Sequence, residues 1–365
     1  MARLPAPPDP WDERAIAHLS YTSGTTGQPK GACLAHEPAV TASRCIAERL
    51  RIGQKDITFG PTALSSSYQL VANLLPALAQ CAHLHVMRFW TASDGWEALE
   101  ASGATVLAAN PTLLEDLLDE SRRRGRPPQN LRLGLSGGGP VPPTLKSGWR
   151  DTLRLPLVES FGQSELGGFM ALGLPELEPD NRRLLRVGPA LPDKEVRIVD
   201  SDDHPVPTGT VGEIVLRGGF MAGYWGRPEK TAEATRGGWL RTGDLGLMDE
   251  EGHVTMRGRR AELLMVDGQA WYPRDVEEAL CRQSGVRQAA VIGVPDEQLG
   301  SRPLAFITLH EGAQIDPAAL KEALRSEVTY DLATLSIKAL VEFPMTPTGK
   351  IAKAELAAQR AGSHA

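Results

Sequence analysis

The chain has 365 residues, of which 41% are hydrophobic and 23% charged, a composition that excludes simple disorder and allows more than one core. Its 39 basic and 45 acidic residues give a net charge of -6, so no basic footprint for nucleic acid or an anionic membrane is present. The four cysteines form no CxxC pair, which favours a reduced, cytoplasmic protein over a disulfide framework or a zinc site.

Apolar and amphipathic runs alternate between residues 57 and 162. The strand-like runs lie at 83–89, 104–109, 131–136 and 155–160, and the helix-like runs at 94–103 and 112–124. This alternation predicts parallel strands joined by crossover helices, as in an α/β fold. The most apolar window, 70–87, is interrupted by polar residues, so we predict no membrane span.

The pattern changes after Pro189. Short period-2 strands follow at 194–200, 209–218 and 252–258, with turn signals and no helices between them, which predicts a small β subdomain. A mixed unit begins at residue 259, with helices predicted at 274–284, 316–328 and after Lys350, and strands at 288–294, 303–309 and 337–343. We therefore predict a domain over 1–258, divided into an α/β part (1–188) and a β subdomain (189–258), and a lid domain over 259–365.

The segment LSYTSGTTGQPKGACLAH, at 19–36, is rich in hydroxyl groups and glycines and contains one lysine. Such a loop offers a polyphosphate backbone N–H groups, hydroxyls and an ammonium group. The candidate donors are Thr22, Ser23, Gly24, Thr25, Thr26 and Lys30. Lys30 stands between Pro29 and Gly31, so the segment does not fit GxxxxGK[ST], and a P-loop NTPase is not predicted.

The string YTSGTTGQPKG resembles the phosphate loop of the adenylate-forming superfamily, which contains acyl-CoA synthetases, peptide-synthetase adenylation domains and firefly luciferase. Six more motifs follow in that family's order: SGGGPVP, ESFGQSE, GEIVLRGGFMAGYW, WLRTGDLG, GHVTMRGR and PMTPTGKI. The resemblance implies an AMP-forming acid–thiol ligase. It also implies an N-terminally truncated adenylate-forming fold with a mostly parallel sheet core, a small β subdomain and a mobile α+β C-terminal domain.

The same resemblance implies a nucleotide site. Glu165 matches the family's Mg2+-binding glutamate, and Ser164 keeps the hydroxyl of the usual threonine near the α-phosphate. Asp244 matches the aspartate that accepts both ribose hydroxyls, and Arg259 matches the arginine on the ribose or phosphate side. Glycines and an aromatic ring suit a purine, since a flat backbone and a ring face can both lie along it. These nucleotide-binding candidates are Gly137, Gly138, Gly139, Pro140, Glu159, Ser160, Phe161 and Gly162.

Lys350 matches the mobile lysine that bridges the carboxylate and the α-phosphate in adenylate formation, so we expect Lys350 and Glu165 to be catalytic. The family's second step is attack by coenzyme A on the acyl-adenylate after the C-terminal domain rotates about a hinge. Ala261 stands at that hinge position, usually held by aspartate or lysine. Gly268, with Gln269 beside it, matches the loop against the pantetheine arm.

By position, the acyl group should lie against Leu64, Ser65, Gly167 and Gly168. These small side chains indicate a roomy, apolar pocket, and no acidic residue is placed to hold an α-amino group. We therefore expect a hydrophobic carboxylic acid as substrate. No carrier-protein attachment motif follows Lys350, so coenzyme A is the expected acceptor. The expected small molecules are ATP or an acyl-adenylate, AMP, Mg2+ and coenzyme A.

Only twenty residues precede the YTSGTTG loop, whereas typical relatives have well over a hundred, and we expect this truncation to be natural. An open site would weaken adenylation most, because a unit charge pair at 4 Å contributes about 1 kcal/mol in water and about 4 kcal/mol at an effective dielectric near 20. We therefore expect a ligase that mainly performs thioesterification on a preformed acyl-adenylate, served by a separate adenylating enzyme.

Three alternatives remain open. The chain could be a complete ATP-dependent acyl-CoA synthetase whose open side is covered by a partner chain or by a homodimer contact. It could also be a stand-alone adenylation domain that loads a carrier protein. A non-catalytic nucleotide-binding protein is the third, although the presence of Glu165, Asp244, Arg259 and Lys350 argues against it.

Overall fold

The computed structural model describes residues 15–22, 29–177, 183–310, 312–346 and 351–361. Strands and helices alternate up to residue 177. The strands are β1 (Ile16–Tyr21), β2 (Gly31–Ala35), β3 (Ile57–Gly60), β4 (His83–Val86), β5 (Val106–Ala109), β6 (Leu133–Ser136), β7 (Leu157–Gly162) and β8 (Phe169–Leu172). The helices are α1 (His36–Arg49), α2 (Ser67–Gln69), α3 (Leu75–Ala79), α4 (Ala92–Ser102), α5 (Pro111–Arg124) and α6 (Pro143–Gly148).

Strands β3 to β8 form a six-stranded sheet in the order β4-β3-β5-β6-β7-β8. The first five strands are parallel, and β8 runs antiparallel to β7. On one face Val106 packs in a cluster with residues of α1, and on the other Leu107 packs with residues of α4 and α5. Strands β5 and β6 are therefore buried on both faces, which explains their uninterrupted apolar sequences. The predicted parallel α/β core is confirmed.

The segment from 183 to 259 is mostly strand. Its strands are β9 (Gly188–Pro189), β10 (Glu195–Val199), β11 (Gly212–Arg217), β12 (Gly223–Tyr224), β13 (Thr235–Arg236), β14 (Trp239–Met248) and β15 (His253–Arg259). An antiparallel sheet runs β10-β11-β14-β15-β9, with β13 paired to β14. One helix, α7 (Pro228–Ala234), lies among these strands, so the expectation of none was wrong. Pro228 fits the first turn, where a missing N–H has no cost.

The two predicted parts before residue 259 share a core. Leu34, Met170 and Ile214 belong to one buried cluster, and β12 pairs with β2 in a three-stranded sheet of order β1-β2-β12. The division at residue 188 therefore stays a prediction from the sequence pattern. In the structure the two parts are packed against each other in one hydrophobic core.

The remaining chain folds around its own core. Its elements are β16 (Leu264–Val266), β17 (Gln269–Trp271), α8 (Pro273–Cys281), β18 (Val286–Asp296), β19 (Gly300–Leu309), α9 (Pro317–Leu324), β20 (Ser336–Ala339) and α10 (Lys353–Ala361). The sheet runs β17-β16-β19-β18, and β20 adds in parallel to β19. Trp271 is fully buried and stacks on Tyr330 with ring centroids 4.5 Å apart. Within the described residues, no helix is both long enough and apolar enough to span a bilayer.

Charged side chains line the contact between the part of the chain before residue 259 and the part after it. Arg287 of β18 lies 3.3 Å from Asp116 and 3.8 Å from Glu115, both on α5. Arg257 of β15 pairs with Asp275 of α8 at 2.6 Å. Burial raises the pKa of Glu115 to about 7, although Arg287 acts in the opposite direction.

Glu115→Gln tests this contact through pH. The pKa of Glu115 is higher in the folded state than in the unfolded state, so its contribution to stability is present at low pH and is lost as pH rises through about 7. We expect the native chain to lose on the order of 1–3 kcal/mol relative to Glu115→Gln between about pH 5 and about pH 8. Urea unfolding at both pH values measures this difference. The exposed Glu297→Gln variant is the control and should follow the native chain.

Candidate active site

The predicted phosphate loop connects β1 to β2, and hydrogen bonds join its two ends. The backbone N–H of Thr22 donates to the carbonyl of Lys30 at 2.9 Å, and the N–H of Lys30 donates to Oγ1 of Thr22 at 3.1 Å. The predicted donors between these ends lie outside the described residues; they are Ser23, Gly24, Thr25 and Thr26. The two described ends of the predicted loop, Thr22 and Lys30, are therefore held together by two hydrogen bonds.

Tyr224 joins two predicted site residues. The ammonium of Lys30 donates to the Tyr224 hydroxyl at 3.4 Å and lies 4.4 Å from its ring centroid. That hydroxyl donates to Oε1 of Glu165 at 2.7 Å. Burial, with help from the charge of Glu165, raises the pKa of Tyr224 well above its usual value, so the phenol stays protonated. The structure thus brings the phosphate-loop lysine and the candidate metal ligand into one hydrogen-bonded chain.

Tyr224 was not among the predicted site residues, although it lies within the quoted GEIVLRGGFMAGYW motif. Its position comes from pairing with Ala32 across β12 and β2. Glu165 is placed by the 3-10 turn Ser164–Leu166, and its carbonyl accepts the N–H of Met221 at 2.7 Å. Two backbone contacts therefore align this tyrosine with its partners.

The glycine run after β6 lies beside the end of β7. A side chain at Gly137 would collide with the ring of Tyr68 and the hydroxyl of Ser160, so only glycine fits there. Gly138 has φ 81° and open space on its Cβ side. Pro140 is exposed and Phe161 is half-buried. Gly137 is buried and Gly139 half-buried, so Gly138 and Pro140 are the exposed part of this run, and its contact with a purine stays a prediction.

Asp244 and Arg259 face each other across β14 and β15. The guanidinium Nε of Arg259 lies 2.9 Å from Oδ1 of Asp244, and the side-chain amide of Gln163 donates to Oδ2. The same amide donates to the carbonyl of Thr242 at 2.9 Å. Both predicted ribose ligands are therefore together, and Gln163 is a third polar group that the sequence analysis did not single out.

Glu159 has a different environment from the other nucleotide-site candidates. Its side chain is buried, with Oε2 2.5 Å from the ammonium of Lys146 and Oε1 3.9 Å from the guanidinium of Arg274. Its neighbour Ser160 donates to the carbonyl of Ser136 at 2.9 Å. These contacts account for both side chains without a ligand, so a nucleotide contact for either residue stays a prediction.

The acyl-pocket candidates lie on two loops. Leu64 is half-buried and Ser65 exposed between β3 and α2. Gly167 has φ 64° beside Pro38, and a side chain at Gly168 would come within 2.5 Å of Cβ of Ala42. Gly168 therefore lets α1 pack closely against the turn after Glu165, whereas Gly167 provides the positive φ of that turn. Their contact with an acyl group stays a prediction. Gly162, a nucleotide-binding candidate, is exposed at the end of β7, and its contact with a nucleotide also stays a prediction.

The C-terminal candidates occupy turns. Gly268 lies at the tip of the exposed β16–β17 hairpin, where Asp267 and Gly268 both have positive φ, as a two-residue hairpin turn requires. Gln269 follows it and is exposed. Ala261 is the middle residue of the exposed 3-10 turn Arg260–Glu262. Lys350 lies outside the described residues.

Comparison with known proteins identifies the family of the chain. A family model described as AMP-binding enzyme matches residues 2–225, and one described as AMP-binding enzyme C-terminal domain matches residues 275–350. Sulfoacetate–CoA ligase of Cupriavidus necator is 34% identical over 97% of this chain and 69% of its own length. 2-Succinylbenzoate–CoA ligase of Geobacillus kaustophilus is 31% identical over 94% of this chain and 69% of its own length.

Solved structures agree as well. ATP-bound MatB from Rhodopseudomonas palustris superposes with a TM-score of 0.84 at 26% identity, over 96% of this chain and 69% of that one. The o-succinylbenzoate CoA synthetase of Bacillus subtilis, solved with its acyl-adenylate intermediate, superposes with a TM-score of 0.84 at 27% identity. The match covers 94% of this chain and 69% of that one. The fold and the site define an AMP-forming acid–thiol ligase. The chain belongs to the AMP-binding enzyme family.

Asp244→Asn tests the ribose site. The neutral amide loses the charged acceptor for ribose hydroxyls, and hydrogen bonds to charged groups contribute about 1.5–3 kcal/mol. We therefore expect AMP affinity, measured by calorimetry, to fall about 10- to 100-fold. Asp267→Asn changes an exposed aspartate in the hairpin turn and should leave AMP affinity unchanged. Equal affinities of the native chain and Asp244→Asn would contradict the ribose assignment.

Proposed function

We propose that this enzyme forms an acyl-CoA thioester from a hydrophobic carboxylic acid through an acyl-adenylate, with thioesterification as its stronger half-reaction. In the first step a carboxylate oxygen attacks the α-phosphorus of ATP and pyrophosphate leaves. In the second step the thiol of coenzyme A attacks the acyl carbon, AMP leaves and the thiol proton passes to solvent. A separate enzyme that supplies the acyl-adenylate is part of the proposal.

The contact between Lys30, Tyr224 and Glu165 carries this proposal. It places a cation and a carboxylate at the end of the loop predicted to bind phosphate, and a phenol that stays protonated between them. In this description Lys30 offsets phosphate charge and Tyr224 fixes the carboxylate orientation of Glu165. Asp244 and Arg259 add the ribose end, so the described residues provide polar groups for both halves of a nucleotide.

Glu165 suits the Mg2+ that accompanies ATP. One of its carboxylate oxygens accepts from Tyr224, and among the described residues the other has no hydrogen-bond donor. Mg2+ is commonly held by one or two carboxylates together with phosphate oxygens, so a single carboxylate is a sufficient protein contribution. When bound, the ion would reduce the negative charge that the attacking carboxylate meets.

Exposed side chains around the loop support the unequal half-reactions. Tyr21 of β1 and Trp225, which directly follows β12, lie on the two sides of Gly31 and are each 63% exposed. Water at this rim raises the effective dielectric and weakens any cation that draws two anions together. Thiol attack on an acyl-adenylate needs less of this help, because the carboxylate is already esterified.

The test compares the two half-reactions on one preparation. We expect slow pyrophosphate exchange with ATP, Mg2+ and a panel of hydrophobic acids, and fast thioester formation from a synthetic acyl-adenylate and coenzyme A. Lys350→Ala should reduce exchange a further 10²- to 10³-fold, the usual effect of removing one charge-stabilising group, and leave thioester formation nearly intact.

Each alternative predicts another outcome. Fast exchange by the native chain would indicate a complete synthetase and contradict the division of labour. Transfer to a pantetheinylated carrier protein in preference to coenzyme A would indicate carrier loading. Binding of AMP without either half-reaction would leave a nucleotide-binding protein and overturn the enzymatic proposal.

A further inference from the structure

Lys353 lies where three elements of the C-terminal domain meet. It is the first residue of α10, and its ammonium is 2.6 Å from Oε2 of Glu262 and 2.8 Å from Oε1 of Glu277. Glu277 belongs to α8 and also accepts the backbone N–H of Val291 in β18 at 2.7 Å. One cation therefore joins the Arg260–Glu262 turn, α8 and the start of α10.

The Arg260–Glu262 turn is tied to different parts of the chain on its two sides. Arg260 donates to Oε2 of Glu213 at 2.8 Å, and Glu213 is a buried residue of β11 that also pairs with Arg241. Glu262 pairs with Lys353 instead. Ala261, the predicted hinge residue, lies between these two attachments. A rotation at Ala261 would therefore leave Arg260 with the first domain and carry Glu262 and Lys353 with the second.

The chain next to Lys350 is also fixed. Met345 and Ile351 form an antiparallel bridge, and the N–H of Ala352 donates to the carbonyl of Pro344 at 2.8 Å. Leu356, one turn into α10, is fully buried against residues of β18 and β19. These contacts hold the backbone directly after Lys350 on the C-terminal sheet, and Lys353 connects that backbone to the hinge turn.

The charge of Lys353 persists across the assay range. Burial alone would lower the pKa of its ammonium, but Glu277 and Glu262 hold that pKa above its ordinary value. Arginine keeps this charge and can span two carboxylates, whereas methionine keeps the length of the side chain and removes the charge.

We propose that Lys353 is a positioning residue that couples the hinge turn at Ala261 to the segment carrying Lys350. The inference rests on the proposed function, because the adenylating role of Lys350 is taken from there. A shift of about 1 Å in a reacting group can cost about 100-fold in rate. Loss of Lys353 should accordingly act on adenylation, which uses Lys350, and spare thioester formation.

The experiment measures both half-reactions in Lys353→Met, Lys353→Arg, Glu262→Gln and Lys350→Ala. We expect Lys353→Met to lower kcat for adenylate formation about 10- to 100-fold, with KM for ATP unchanged and thioester formation from the synthetic acyl-adenylate preserved. Lys353→Arg should restore most of the rate, and Glu262→Gln should show a smaller loss of the same kind. Lys338→Met, which removes an exposed lysine from β20 of the same domain, should behave as the native chain.

The outcomes distinguish failure of the proposal for Lys353 from failure of the proposed function. An equal loss of both half-reactions in Lys353→Met would indicate a general structural role and overturn the inference, as would no loss in either. Failure of arginine to restore adenylation would count against coupling through charge. If the native chain forms no adenylate with any acid, or if Lys350→Ala adenylates normally, the proposed role of Lys350 fails first and the inference falls with it.

Discussion

The pairing of β12 with β2 is the contact on which the candidate active site depends. It brings Tyr224 beside a strand almost two hundred residues earlier, between Lys30 and Glu165. Gly223 favours the pairing, because its φ of 156° is rarely adopted by other residues and a side chain there would lie only 3.0 Å from Thr231 on α7. Thr231 in turn accepts the N–H of Tyr224 at 2.9 Å. A two-residue strand therefore holds Lys30, at the end of the predicted phosphate loop, close to the candidate metal ligand Glu165.

Buried charges recur where parts of the chain must keep a defined orientation. Glu213 forms ion pairs with Arg241 and Arg260. The contact between the parts of the chain before and after residue 259 includes ion pairs such as that of Arg257 with Asp275. Removing ions from water offsets most of the attraction between them, so such pairs add little stability. A polar interface can, however, separate without exposing apolar surface to water. That property would suit the domain rotation that the family resemblance implies between the two half-reactions.

The sequence predicted the architecture well where one physical signal dominated. Strands β5 and β6 have uninterrupted apolar sequences because both of their faces are buried, and the structure confirms that these segments are strands. Strand β14 was missed. Its inward-facing positions include Thr242 and Asp244, which are buried and polar, so the alternation that marks a half-buried strand is broken. Asp244, the predicted ribose ligand, is thus one of the buried polar residues that hide this strand in the sequence pattern.

The site was predictable residue by residue but not as a set of contacts. The composition of the loop singled out Lys30, and the family resemblance singled out Glu165. Neither shows that Tyr224 lies between them, because that contact depends on strand pairing across long sequence separations.

The contribution of Asp244 to nucleotide affinity also depends on contacts that its sequence motif does not show. Its carboxylate already accepts from Arg259 and Gln163, so ribose hydroxyls would have to share or replace these donors. Its contribution to nucleotide affinity is then the difference between two well-formed sets of hydrogen bonds, which is smaller than the strength of either set and which Gln163 helps to determine.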